Sequence, residues 1–314
     1  LKKALSIFIL CAVLAALFSG CGQAPAPAAK ESGKLSVVAT IFPAYDFARE
    51  IVGSAGTVTM LVPPGSEIHS YEPTPQDILT IQNCDIFIYN GGDSDEWVDD
   101  VLSSVGNGMT VVRMTDCVAQ VQEEDKEGMT VHEEGSGGPE YDEHVWTSPV
   151  NAQKIAAAIA AAAEARDAAD AGIFQKNLAA YTARLKKLDE AYREVVANAK
   201  SKTLIFADRF PVRYFTEEYG LDYYAAYPGC AEDAEPSAKT VAFLIDKVRQ
   251  GGVPYVLYIE FSNQKMADTV CEDTGCGKLE FNSCHNVSKA DFESGVSYLD
   301  LMWANVDTVR KALG

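Results

Sequence analysis

The chain has 314 residues, 47% hydrophobic and 23% charged, with a formal net charge of -19. That length allows two ordinary domains, and that composition supplies globular cores. So acidic a surface excludes nucleic acid, whose phosphates demand a basic face, and disfavours docking of the folded body on anionic lipid. It suits a protein that handles cations, but acidic balance by itself mostly signifies solubility.

Lys2 and Lys3 open the chain, and residues 4–18, ALSIFILCAVLAALF, form an apolar run too short for a comfortable membrane span. Ser19 and Gly20 then precede Cys21. The segment resembles a bacterial lipoprotein signal, with Phe18 in place of the usual aliphatic residue. The resemblance implies removal of residues 1–20, a lipid on Cys21, and anchoring to the bacterial cell membrane on its extracytoplasmic side. GQAPAPAAKESG reads as a flexible tether, so that residues 21–33 hold the folded body near a membrane without entering it.

From Lys34 strand-like and helix-like runs alternate, which predicts an α/β fold with parallel sheets. KLSVVATI, VTMLV, CDIFIYN and MTVVRM supply four strands, with helices over 43–53, 74–83 and 93–105. Residues 122–143 carry nine acids and four glycines without periodicity and read as a loop, solvated or weakly metal-gathering. An alanine-rich helix ending at Gly172 completes a first lobe over 34–171. A long linking helix over 172–200 follows. Residues 201–314 repeat the alternation: strands TLIFA, DYYAAY, PYVLYIE and KLEF, helices between them, and a last helix over 289–313. The expected architecture is two lobes, each a roughly four-stranded parallel sheet flanked by helices, joined by the long helix. Ligands of such sheets sit at the carboxyl ends of the strands, so a site can form between the lobes.

Three of the four histidines fall near such ends: His69 after the second strand, His144 in DEHVW, and His285 in FNSCHNVS. His132 lies in the acidic loop. Asp208 closes TLIFA and is a fourth candidate, with helix N-capping as its ordinary alternative role. Three imidazoles and a carboxylate make a four-coordinate zinc site, whereas manganese prefers more carboxylate and water. Besides Cys11 and Cys21 there are six cysteines, which allow fifteen pairings, and no C-x2-C spacing favours a cysteine zinc cluster. Cys230 and Cys284 both follow strands of the second lobe and are candidates for a disulfide bracing the His285 loop; Cys284 as a metal ligand is the rarer alternative.

IFPAYDFAREIVG, LVPPGSEIHSYEPTPQDI, DEHVWTSPVNA and EPSAKTVAFLIDKVR resemble the zinc and manganese solute-binding lipoproteins of ABC importers over residues 35–313. The most specific pieces are His-x-x-Glu-Pro-x-Pro at 69–75 and Asp-x-His-x-Trp at 142–146. The resemblance implies two α/β lobes bridged by a rigid helix, a buried metal between them, and His69 and His144 as ligands from the first lobe. It also implies an ABC permease as partner and Zn2+, ahead of Mn2+, as the bound ion. The chain departs from the family at FADRFPVRYF, where the third ligand is expected and no histidine stands. Asp208 is the best candidate there and Glu260 its substitute, either as ligand or as a supporting acid. His285 occupies the place of the family's last, usually acidic, ligand.

A zinc hydrolase would need an open coordination position and a general base, and neither a His-Glu-x-x-His helix nor a Gly-x-Ser-x-Gly elbow is present. A metal-stabilised surface adhesin is the remaining alternative, through the family's association with adhesion.

Overall fold

A computed structural model of the chain describes residues 33–68, 71–106, 108–130, 141–229 and 237–314. The signal segment, Cys21, His69, His132 and Cys230 lie outside the described residues.

Strands β1 (Leu35–Ala39), β2 (Gly56–Met60), β3 (Ile86–Tyr89) and β4 (Thr110–Arg113) form one parallel sheet in the order β2-β1-β3-β4. Strands β5 (Thr203–Phe210), β6 (Asp222–Pro228), β7 (Tyr255–Ile259) and β8 (Gly277–Phe281) form a second in the matching order β6-β5-β7-β8. The central strands LSVVA and IFIY of the first sheet are almost wholly buried, as strands covered on both faces must be. Helices α1 (Phe42–Val52), α2 (Pro75–Gln82) and α3 (Trp97–Ser104) connect the first sheet. Helices α6 (Arg213–Tyr219), α7 (Ala238–Gly251) and α8 (Lys265–Thr274) connect the second, with α9 (Lys289–Ser294) and α10 (Tyr298–Ala312) closing the chain.

Helix α4 (Pro149–Arg166) packs against the first lobe, and α5 (Ala171–Asn198) runs between the lobes. The 28 residues of α5 span about 42 Å at 1.5 Å per residue. Its buried stripe of Phe174, Tyr181, Leu185, Leu188, Tyr192 and Val195 recurs at helical spacing and faces both lobes. One continuous apolar core therefore runs from Val37 and Phe47 through α5 to Phe206, Phe281 and Met302. Each sheet also has a smaller core on its outer face, around Phe87 in the first and Val256 in the second.

Polar contacts pin this shared core. The Tyr298 backbone N–H, at the start of α10, donates to buried Asp46 of α1 at 3.0 Å. The Tyr298 ring meets Phe47 edge-on at 4.9 Å, and the Tyr192 hydroxyl donates to the Met302 carbonyl at 2.6 Å. Parting the lobes widely would break close-packed apolar contacts and strand these groups, so the body resists hinge opening.

The structure departs from the sequence reading at three boundaries. The alanine-rich helix ends at Arg166, not Gly172. The Asp167 carboxylate accepts the N–H groups of Ala169 and Asp170 at 3.2 and 3.3 Å, forming a turn that halts one helix and leads into the next. The final helix is two, because Gly295 adopts φ 79° and Ser297 opens α10 with a capping box to Asp300. Lastly, β5 continues past Ala207 to Phe210, with an irregularity in its pairing to β6 between Phe206 and Arg209. Among the described residues, no helix is long and apolar enough to cross a membrane.

Candidate metal centre

The two edge strands β4 and β8 stand at equivalent places in the two sheets, and a histidine follows each. His144 lies beyond the long loop after β4, and His285 four residues after β8. Their rings are 5.1 Å apart, centroid to centroid, and nearly perpendicular. Together with Glu143 they present three donor atoms that all lie within 4.8 Å of one another, the reach of a single cation. His144 is fully buried and His285 partly so.

His144 is held by its own segment. Its backbone N–H donates to the Asp142 carboxylate at 2.8 Å, and its Nδ1 faces the same oxygen at 3.3 Å. Asp142 is fixed in turn by its backbone carbonyl, which accepts the Tyr214 hydroxyl of the second lobe at 2.9 Å. Burial alone would push the His144 pKa down, but the carboxylates of Asp142, Glu143 and Glu123 outweigh it and raise the value. Gly229 passes so close that a Cβ there would stand 3.0 Å from the ring. Trp146 packs beside both imidazoles, at 5.4 Å from His144 and 4.8 Å from His285, and its Nε1 donates to the Ser283 carbonyl at 2.8 Å. That indole ties the two histidine-bearing loops together.

His285 is held by a remote acid. Glu260, just after β7, accepts the Ser283 N–H at 2.6 Å, the Ser283 hydroxyl at 2.5 Å and the His285 N–H at 3.3 Å. Burial raises the Glu260 pKa, and these donors offset only part of the rise. The turn at Cys284 takes φ 61°, unusual for a residue with a side chain, and the Asn282 side chain stabilises it by accepting the Cys284 N–H at 2.8 Å. Asn286 then reaches across to the first lobe, donating to the carbonyls of Pro63 and Ser66 at 3.0 and 2.9 Å. It thereby fixes the turn that immediately precedes His69. A cavity of about 30 Å³ opens here, lined by Glu67, Arg209, Glu260, Phe261, His285 and Asn286. Arg209 and Glu67 face each other at 3.8 Å beside it.

The structure does not bring Asp208 into the donor cluster. It sits within β5, where its carboxylate accepts the N–H of Arg209 at 2.8 Å and of Ile259 at 3.3 Å, together with the Ser262 side chain. Burial raises its pKa, and these donors oppose the rise. Asp208 thus stitches β5 to the end of β7, and Glu260 stitches β7 to the His285 loop. Cys284 is buried, with its sulfur 3.7 Å from the Asn282 carbonyl; its candidate disulfide partner, Cys230, lies outside the described residues. Glu143 is the donor that the sequence reading passed over. It stands at the variable position of Asp-x-His-x-Trp, and its carboxylate accepts the Ser94 N–H at 3.1 Å and the Ser94 hydroxyl.

A family model for the zinc-uptake complex component A, periplasmic, ZnuA, matches residues 37–312. The chain is 32% identical over 318 residues to the high-affinity zinc uptake system protein ZnuA of Bacillus subtilis, covering 99% of this chain and 98% of that one. It is 30% identical to the zinc-binding lipoprotein AdcA of Streptococcus pneumoniae over 99% of its own length but only 60% of AdcA. Among solved structures, the Zn(II)-bound ZnuA-like domain of that AdcA superposes with a TM-score of 0.75 at 29% identity, covering 90% of this chain and 99% of the domain. The metal-dependent lipoprotein YcdH of Bacillus subtilis gives 0.74 at 33% identity, over 89% and 99%. A laminin-binding adhesin of Streptococcus agalactiae, at 23% identity and 0.75, shares the fold alone.

Proposed function

The chain belongs to the ZnuA family of zinc-uptake components, and from that premise we propose that it captures a divalent transition metal and delivers it to the permease of an ABC importer. Zinc is the proposed cargo, ahead of manganese. The observation that carries the reading is the enclosed donor set of His144, His285 and Glu143, contributed by loops of two separate sheets. Two imidazoles beside a carboxylate suit zinc, whereas manganese favours oxygen-rich sites.

His69 is the proposed further ligand, delivered from the turn that Asn286 holds. Asp208 and Glu260 act as positioning residues in this reading, since both stand outside the cluster of Glu143, His144 and His285 and their carboxylates hold strand and loop N–H groups in place. Capture exchanges the cation's water for neutral imidazole nitrogens and carboxylate oxygen. Protons compete for the same lone pairs, so affinity falls in acid. The shared core leaves the ligand loops, rather than the lobes, as the parts that yield when metal is released to the permease. The function is binding and delivery, with no catalytic step.

The proposed location is extracytoplasmic, with a lipid on Cys21 as the only membrane attachment and residues 21–33 as tether. Elemental analysis after competition between equal zinc and manganese tests the cargo: one zinc per chain is expected, and retained manganese would overturn the assignment. Zinc uptake by a strain lacking the protein tests delivery, with a growth defect under zinc limitation as the expected result.

A further inference from the structure

Two cysteines outside the metal centre stand together. Cys271 lies in the last turn of α8, and Cys276 stands between the Gly275 cap of that helix and β8. Their sulfurs are 3.4 Å apart, and both thiols are free. The backbone makes this approach a property of the turn. Gly275 takes φ 76°, its N–H donates to the Cys271 carbonyl at 2.8 Å, and the Cys276 N–H donates to the Thr274 hydroxyl at 3.3 Å. The chain therefore folds residue 276 back over residue 271, and both side chains pack on the outer core of the second sheet.

We propose that Cys271 and Cys276 are a disulfide site that fastens the end of α8 to the start of β8. The bonded sulfur distance is about 2.05 Å, and side-chain rotation must close the remaining gap. Each thiol loses a proton, and the pair loses two electrons as the S–S bond forms. An external disulfide, of a small thiol or of an oxidoreductase, takes up those electrons and protons as its own S–S bond breaks into two thiols. The link lies at the opposite end of β8 from the loop that carries His285, so it secures the strand without touching the ligands. Lys278, the second residue of β8, already pairs with Gln264 at 2.8 Å and Asp268 at 2.5 Å in the α8 segment, which places the cross-link where the two elements are held in register.

The site itself rests on the sulfur geometry, and only the supply of oxidant rests on the extracytoplasmic reading. Both cysteines fall between Lys265 and Lys278, in one tryptic peptide spanning residues 266–278. The purified protein is equilibrated with oxidised glutathione, unfolded, alkylated with iodoacetamide, digested and weighed. The expected peptide is two hydrogens lighter than the dithiol form and carries no alkyl group. In the Cys276→Ser variant Cys271 is alkylated or carries a mixed disulfide to glutathione, with no internal cross-link and zinc affinity unchanged. Alkylation of both residues in the wild-type peptide, a cross-link to any other cysteine, or zinc-dependent protection of two reduced thiols would each overturn the proposal. Alkylation of intact cells separates the two readings. An oxidised pair there supports both, while a pair that oxidises only in vitro supports the site and counts against the extracytoplasmic location.

Discussion

His144 and His285 follow equivalent edge strands of two sheets with the same strand order, yet their supports differ. His144 leans on an acid two residues away, so its ring and its carboxylate travel together. His285 depends on Glu260 from the neighbouring strand, which collects three donors from residues 283 and 285. One candidate ligand is placed by local sequence and the other by tertiary structure. The first can be found by reading a motif. The second needs the fold, because nothing in FNSCHNVS names the acid beneath it.

Deleting either ring tests the premise that the two halves contribute equally. His285→Ala and His144→Ala should each weaken zinc binding about a hundredfold or more, beyond the 10–100-fold range of supporting residues. Calorimetric affinity unchanged in either variant would remove that ring from the site. The supports should then separate. Glu260→Gln turns an amide N–H toward the donors of residues 283 and 285, and it should cost about 10–100-fold in affinity and about 1–3 kcal/mol of stability. Asp142→Asn keeps an acceptor oxygen for the His144 N–H and should cost about tenfold or less. Equal losses in the two variants would erase the distinction between remote and local support.

The pH profile sharpens the same contrast. Asp142 is the foremost of the carboxylates that raise the His144 pKa. Imidazolium cannot bind a cation, so zinc affinity should fall as pH drops through that raised value, at a higher pH than an ordinary histidine would dictate. In Asp142→Asn the fall should move to lower pH; a midpoint that stays put would mean that another group governs it. The smallest effect on metal is expected from Asp208→Ala. Zinc affinity should stay within about threefold, while loss of a buried acceptor should cost about 1–3 kcal/mol in thermal or denaturant unfolding. A large loss of affinity with stability intact would return Asp208 to the ligand set.

Much of the fold was legible because its signals are local. Continuous β-branched runs marked buried parallel strands, and alanine-rich periodicity marked the connecting helices. Asp208 was harder to place, since TLIFA ends at the last residue of its apolar run whereas the strand continues three residues further through irregular pairing. Periodicity cannot register such an irregularity. Glu143 was missed for a different reason: its neighbours define the motif, and only a second lobe arriving at His285 makes its carboxylate part of a cluster. The roles of Ser283 and Asn286 likewise exist only once β7 and the Pro63–Ser66 turn are beside them.

The position of Trp146 gives the protein an optical readout of its own state. An indole packed against two imidazoles and hydrogen-bonded to the opposite loop is placed so that protonation, metal loading or movement of those rings would change its surroundings. With Trp97 and Trp303 replaced by phenylalanine, the remaining emission would follow loading and discharge of the site in real time, and would reveal whether the loops shift before or after the cation leaves.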